Sequence, residues 1–388
     1  MKAKQLFCAS AVLFAFFIQG FCDIVGISSE YAREAFGWSH TMAGFLPSMV
    51  FVWFLFVSIP VGIKMNKWGR KNTVLIGMAV TVVGMLVPLV GSAWACLVGY
   101  AALGIGNTVL QVSQNALVRN VFTDEKLLTS SLTAGQVVKA VSSFCGPFLM
   151  LFAVNVLGGG DKASWYLVFP VLGALTLLSA LWLWLSPIER EPAEESSVSV
   201  GKTLSLLGDK AILPLFLGIF FAVAIDVGTN FVSSKVMIDR FGWDVTEAGV
   251  APQVYFICRT VGAFLGVFVM TRVPSVTYFR WNIVACIAAI LTLALCPLGT
   301  SATLALIGAV GFLCSCVFPT IYSAAVQQAP DKANLISGLM ITAVAGGGAA
   351  TPLIGWATDS FGSITAGVCV LLLCAGYLTY CAFLCKNK

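Results

Sequence analysis

Phe36-Gly-Trp-Ser-His-Thr-Met-Ala-Gly44 and Phe241-Gly-Trp-Asp-Val-Thr-Glu-Ala-Gly249 are two forms of one element, set 205 residues apart. Each stands just ahead of a long apolar run. The correspondence continues at the same offset through Pro47 and Pro252, then Phe51 and Phe256, and returns where Pro147 matches Pro352. One shared tripeptide is within reach of chance, but matched positions in two separate runs are not. The chain therefore reads as one unit used twice in the same orientation.

The apolar runs say what that unit is. A bilayer core takes about 20 apolar residues per helix. Twelve runs meet the requirement, at residues 6–27, 42–63, 73–91, 95–117, 129–155, 164–186, 212–238, 245–271, 277–298, 301–327, 333–358 and 362–385. Backbone polar groups in hydrocarbon must be paired within the segment, so the runs are helices. Six lie on each side of the polar stretch from Pro187 to Lys210, which holds Glu189, Arg190, Glu191, Glu194 and Glu195 and then serine-rich sequence. The expected fold is an all-α integral membrane protein with twelve transmembrane helices in two pseudo-symmetric six-helix bundles. Residues 1–186 form the first bundle and 212–388 the second. A flexible cytoplasmic linker, 187–211, joins them and carries a short surface helix near Lys202–Gly208.

Composition agrees. Of 388 residues, 59% are hydrophobic and only 10% charged, where a soluble domain has about 25% charged residues. The net charge of +5 does not mark a nucleic-acid binder, because the basic residues sit in short loops where they orient helices. With the N-terminus inside, 16 of the 22 lysines and arginines fall on the inner side, and only Arg33, Lys162, Lys235 and Arg240 on the outer. Both termini are thus expected in the cytoplasm. Met1-Lys-Ala-Lys followed by apolar residues reads as a retained first span, not a cleaved leader. Most of the 13 cysteines lie inside apolar runs as small buried hydrophobes. No metal-ligand spacing, nucleophile elbow, phosphate loop or histidine cluster is present, so neither a metal, a cofactor nor an enzyme activity is expected.

Away from their ends, the runs hold four charged side chains: Asp23, Lys139, Asp226 and Arg259. Each costs about 2.5–3.5 kcal/mol at a helix centre on insertion scales, and four unpaired would cost roughly 10–14 kcal/mol. They are expected to face the protein interior, pair with one another or touch water. Asp23 is the candidate for proton binding, with a fixed pair to Lys139 as the alternative. Asp226 is a candidate for coupling and for accepting solute hydroxyls, with a pair to Arg259 or Lys139 as the alternative. Lys139 is either a counter-ion or a ligand for a substrate carboxylate, and Arg259 offers a bidentate fork for the same purpose. The uncharged polar residues Gln111, Asn115, Gln136, Asn230, Gln253, Tyr255, Asn282 and Gln327 suit hydroxyl recognition or interhelical hydrogen bonds.

Gly62-Ile-Lys-Met-Asn-Lys-Trp-Gly-Arg-Lys71, between the second and third runs, resembles the loop signature G-x-x-x-D-x-x-G-R-K/R of the major facilitator superfamily. Gly62, Gly69, Arg70 and Lys71 keep the pattern, and Asn66 replaces its acidic member. Asp359-Ser-Phe-Gly362 is a second, degenerate loop element. Asp23-Ile24, Phe318-Pro-Thr-Ile-Tyr322, and Gly346-Gly-Gly348 with Thr351-Pro352 resemble the fucose permease branch of sugar–proton symporters. The resemblance covers most of the chain. It implies a monomeric secondary transporter of the bacterial cytoplasmic (inner) membrane. Its partners would be the lipid bilayer, a small polar substrate and a coupling ion, either a proton or sodium. Two positions depart from that branch: Gln111 stands where it has an acidic residue, and Lys139 where it has asparagine. The expected function is uptake of a sugar, a sugar derivative or a sugar acid by alternating access. A drug or organic-anion antiporter of the same fold is the alternative, but Ser142-Ser-Phe-Cys-Gly-Pro-Phe-Leu149 keeps only Gly146-Pro147 of the antiporter element.

Overall fold

The structure, a computed structural model, describes residues 3–121, 125–190, 199–270, 272–328 and 333–384. Among them twelve helical segments are long and apolar enough to cross a membrane. Spans one to six are Lys4–Phe36, His40–Met65, Arg70–Val90, Ala93–Val118, Ala134–Leu157 and Lys162–Leu185. Spans seven to twelve are Ile212–Phe241, Val245–Met270, Ser275–Leu295, Thr300–Ala325, Gly338–Phe361 and Ile364–Leu384. Large apolar side chains cover their outer faces, with Trp281 75% and Leu373 76% exposed, which suits contact with lipid tails. A short helix at Val200–Leu204, continued by a 3₁₀ turn at Ser205–Gly208, occupies the place expected for a surface helix.

The repeat is visible in backbone geometry. Gly37 and Gly242 occupy equivalent places and both take the left-handed conformation, with φ of 63° and 68°. Only glycine enters that region without a steric penalty, which is why it ends helices. Two residues on, Ser39 and Asp244 are both N-caps of the next span. Ser39 accepts a hydrogen bond from the Met42 amide at 3.2 Å. Asp244 forms a capping box with Glu247. The shared Gly-Trp-x sequence is therefore a helix stop followed by a helix start.

Contacts divide the chain into two compact units. One comprises Met1–Ile24 with Trp53–Thr203, the other Val25–Val52 with Leu204–Lys388. The boundaries fall where helices are irregular: span one tightens into a 3₁₀ turn at Gly20–Ile24, and span two is interrupted between Phe51 and Trp53.

In the first unit the loop signature is tied down from three directions. Arg70 Nη1 donates to Asn120 Oδ1 at 2.7 Å. Lys71 Nζ donates to the carbonyls of Trp184 and Ser186 at 2.9 and 2.7 Å, a cation on the carbonyl end of span six. Arg190 Nη2 donates to the Lys67 carbonyl at 2.6 Å, and the same side chain lies over Gly69, whose φ is 86°. Gly62 lies inside span two, against Val112 of span four. The side chains of Asn66 and Gln327 lie outside the described residues.

In the second unit spans two and eleven meet backbone to backbone. A Cβ on Gly44 would stand 2.5 Å from the Thr351 carbonyl oxygen, and one on Gly355 only 2.3 Å from that of His40. Thr351 Oγ1 donates to the Gly44 carbonyl at 2.9 Å. Asp359 lies within span eleven rather than in a loop after it. Its carboxylate accepts from the His40 amide at 3.0 Å, from the Thr41 amide at 2.7 Å and from the Thr41 hydroxyl. An anion here satisfies amides that a helix start leaves open and complements its dipole.

Candidate functional site

In the first unit the irregular turn of span one delivers Asp23 to span five. Ser143 Oγ donates to Asp23 Oδ2 at 2.5 Å, and Cys22 Sγ lies 3.6 Å from Oδ1. Ser143 also reaches the Lys139 carbonyl at 3.1 Å. Gly20 packs so closely there that a Cβ would be 2.6 Å from the Lys139 oxygen. Asp23 and Lys139 thus belong to one crossing of spans one and five. The fixed pair between them, the alternative reading of Asp23, is not formed: among the ion pairs of the described residues none joins Asp23 to Lys139. Gln111 and Asn115 are half-buried on span four, one turn apart, with Asn115 Nδ2 donating to the Gln111 carbonyl at 3.2 Å. The neighbouring Gln114, which the sequence did not single out, ties span four to span one through the Ala15 carbonyl at 2.9 Å.

In the second unit Asp226 of span seven is clasped by two residues of span eight. Arg259 Nη2 lies 2.7 Å from Asp226 Oδ2, and the Tyr255 hydroxyl donates to Oδ1. Tyr255 and Arg259 are four residues apart, so one helix face presents both. The Tyr255 ring is fully buried, while Arg259 and Asp226 keep 33% and 24% exposure. Of the two partners open to Asp226 in the sequence, the structure selects Arg259. Asn230, one turn further along span seven, is buried against Gly26, where a Cβ would fall 2.3 Å from its amide oxygen.

A further buried charge pair escaped the sequence reading. The count of basic residues sets Lys235 on the outer side, near the end of the seventh run, and Glu30 lies beyond the end of the first. Both lie inside spans, and Lys235 pairs with Glu30 at exposures of 0% and 1%. Arg33 Nε lies 3.1 Å from the same carboxylate, and the Lys235 ammonium sits 4.2 Å from the centre of the Phe231 ring. Ser28-Ser29-Glu30 and Arg33-Glu34 look like the start of a loop, yet span one runs on to Phe36 because these polar groups turn inward. The available signal was length: span seven holds 30 residues, well beyond what a bilayer core demands.

The sequence profile of the Major Facilitator Superfamily matches residues 7–352. A glucose/galactose transporter of Brucella abortus biovar 1 (strain 9-941) is 24% identical over 398 residues, spanning 96% of this chain and 93% of that one. A putative glucose/galactose transporter of Helicobacter pylori (strain ATCC 700392 / 26695) is 24% identical over 404 residues, spanning 98% and 97%. Among solved structures, a substituted form of the E. coli fucose:proton symporter FucP aligns over 98% of both chains with a TM-score of 0.71 at 19% identity. That likeness speaks to the fold.

Proposed function

Since the chain belongs to the Major Facilitator Superfamily, a family of membrane transporters, we propose that it is a secondary active transporter of a sugar or sugar derivative, working by alternating access and driven by a proton gradient. One observation carries the reading most: the spans retain charged side chains that are partly open, Asp226 and Arg259 above all, at a cost that a merely structural helix bundle avoids. The glucose/galactose relatives, similar along nearly the whole chain, support a sugar as the solute.

In this reading Asp23 loads and releases the proton, with Asp226 as a second coupling carboxylate. The candidates for solute contact are Asp226, Asn230 and Arg259 in the second unit and Gln111, Asn115 and Lys139 in the first. The loop at Gly62, Asn66, Gly69, Arg70 and Lys71 steadies one end of the first bundle. We take residues 1–186 and 212–388 as the two copies of the repeat, joined by 187–211, a division that the paired helix stops at Gly37 and Gly242 support although contacts group Val25–Val52 with the second copy. The excess of lysine and arginine on one side argues for cytoplasmic termini in a bacterial inner membrane, with the protein acting as a monomer.

Uptake of labelled hexoses into proteoliposomes, with proton and sodium gradients imposed separately, tests this. Accumulation driven by the proton gradient alone is expected. Accumulation that requires ATP, or that ignores both gradients, would refute it.

A further inference from the structure

Lys139 brings a full positive charge into span five. Its side chain is half-buried, and among the described residues no carboxylate holds it. Arg259 and Lys235 differ, since Asp226 and Glu30 neutralise them. An intramembrane ammonium left alone costs about 2.5–3.5 kcal/mol on insertion scales, so something other than a fixed protein anion has to meet it. Across the same helix crossing, the Asp23 carboxylate is held by Ser143 at 2.5 Å. Asn107 of span four, 2% exposed, stands beside the Cys22 thiol of span one, and apart from that thiol its Nδ2 and Oδ1 have no hydrogen-bond partner among the described residues. A buried amide with neither atom satisfied is rare in native proteins and often marks a ligand or an unseen water. The surroundings of Asp23 therefore gather an ammonium in no ion pair, a carboxylate and a buried amide with only a thiol beside it.

We propose that Lys139 binds the carboxylate of a hydroxylated acid, a sugar acid such as a uronate, and that Asn107 meets its hydroxyls. The proposal rests on the sugar-transport reading above and narrows its substrate class. It also supplies a reason for coupling. With substrate bound, the neighbourhood would hold two carboxylates, the ligand's and that of Asp23, against one ammonium. Charge balance is restored when a proton enters on Asp23 together with the acid.

The test uses purified full-length protein in proteoliposomes, with galacturonate and glucuronate set against galactose and glucose. The wild type is expected to take up a uronate at least tenfold better than the matching neutral hexose. Lys139→Asn is expected to lose uronate uptake tenfold or more, so that the preference for the acid over the matching neutral hexose disappears. Lys139→Arg should keep the acid preference, which separates loss of charge from misfolding. Uptake of neutral hexoses with no response to uronates would overturn the inference and leave the sugar-transport reading standing. Failure to move either class would overturn both.

Discussion

Lys235 of span seven and Glu30 of span one form an ion pair from which solvent is almost wholly excluded. Such a pair gains little over an apolar replacement, but breaking it strands a charge. Glu30→Gln or Lys235→Met should each destabilise the protein by about 3–5 kcal/mol. The double change Glu30→Leu with Lys235→Leu should cost much less than the sum of the two. Thermal unfolding in detergent, followed by intrinsic fluorescence, measures this, and single variants as stable as the wild type would contradict the burial described.

Asp226 is held differently, since it and Arg259 both keep partial exposure to water. A double-mutant cycle on Asp226→Asn and Arg259→Gln should give a coupling energy of about 0.5–3 kcal/mol, towards the low end because of that exposure. Tyr255→Phe, which removes a hydrogen bond to a charged group, should cost about 1.5–3 kcal/mol in stability. In transport assays these changes should alter solute affinity more than protein yield, which saturation curves alongside expression levels would reveal.

For Asp23 the expectation concerns coupling. Asp23→Asn should abolish accumulation against a gradient while sparing counterflow exchange, because the amide can still accept from Ser143 yet cannot carry a proton. Accumulation at the wild-type level would remove Asp23 from the coupling step.

The contact of spans two and eleven leaves no room for growth. Gly44→Ala and Gly355→Ala place a Cβ within 2.5 and 2.3 Å of a backbone oxygen on the facing span. Each should lower stability by about 1–3 kcal/mol, the usual range for overpacking. Melting curves for these two against Gly376→Ala, where a Cβ meets nothing within 4 Å, provide the comparison.

Much of the fold was legible because lipid imposes a one-dimensional rule. Every backbone group must be paired locally, so run length alone located the spans. The Phe-Gly-Trp repeat was readable for a related reason: helix stops and starts depend on a few neighbouring residues. What failed depended on facing direction. Glu30 and Lys235 lie 205 residues apart, and each looks like a loop residue until the other is seen turned towards it. Lys139 posed the reverse problem. Charge arithmetic offers it Asp23, and the structure gives that carboxylate to Ser143 instead. Asp359 was read as part of a loop element, because its role depends on which helix starts beside it.

That last residue also separates the two copies of the repeated turn. Asp244 and Glu247 finish their helix start with side chains from the same few residues, whereas the start of span two takes its anion from a position 318 residues away. One copy is self-contained and the other is completed only by a distant neighbour. Any motion that draws spans two and eleven apart uncovers two amides and a helix dipole at once, so the partnership carries its own restoring force, a spring made of hydrogen bonds.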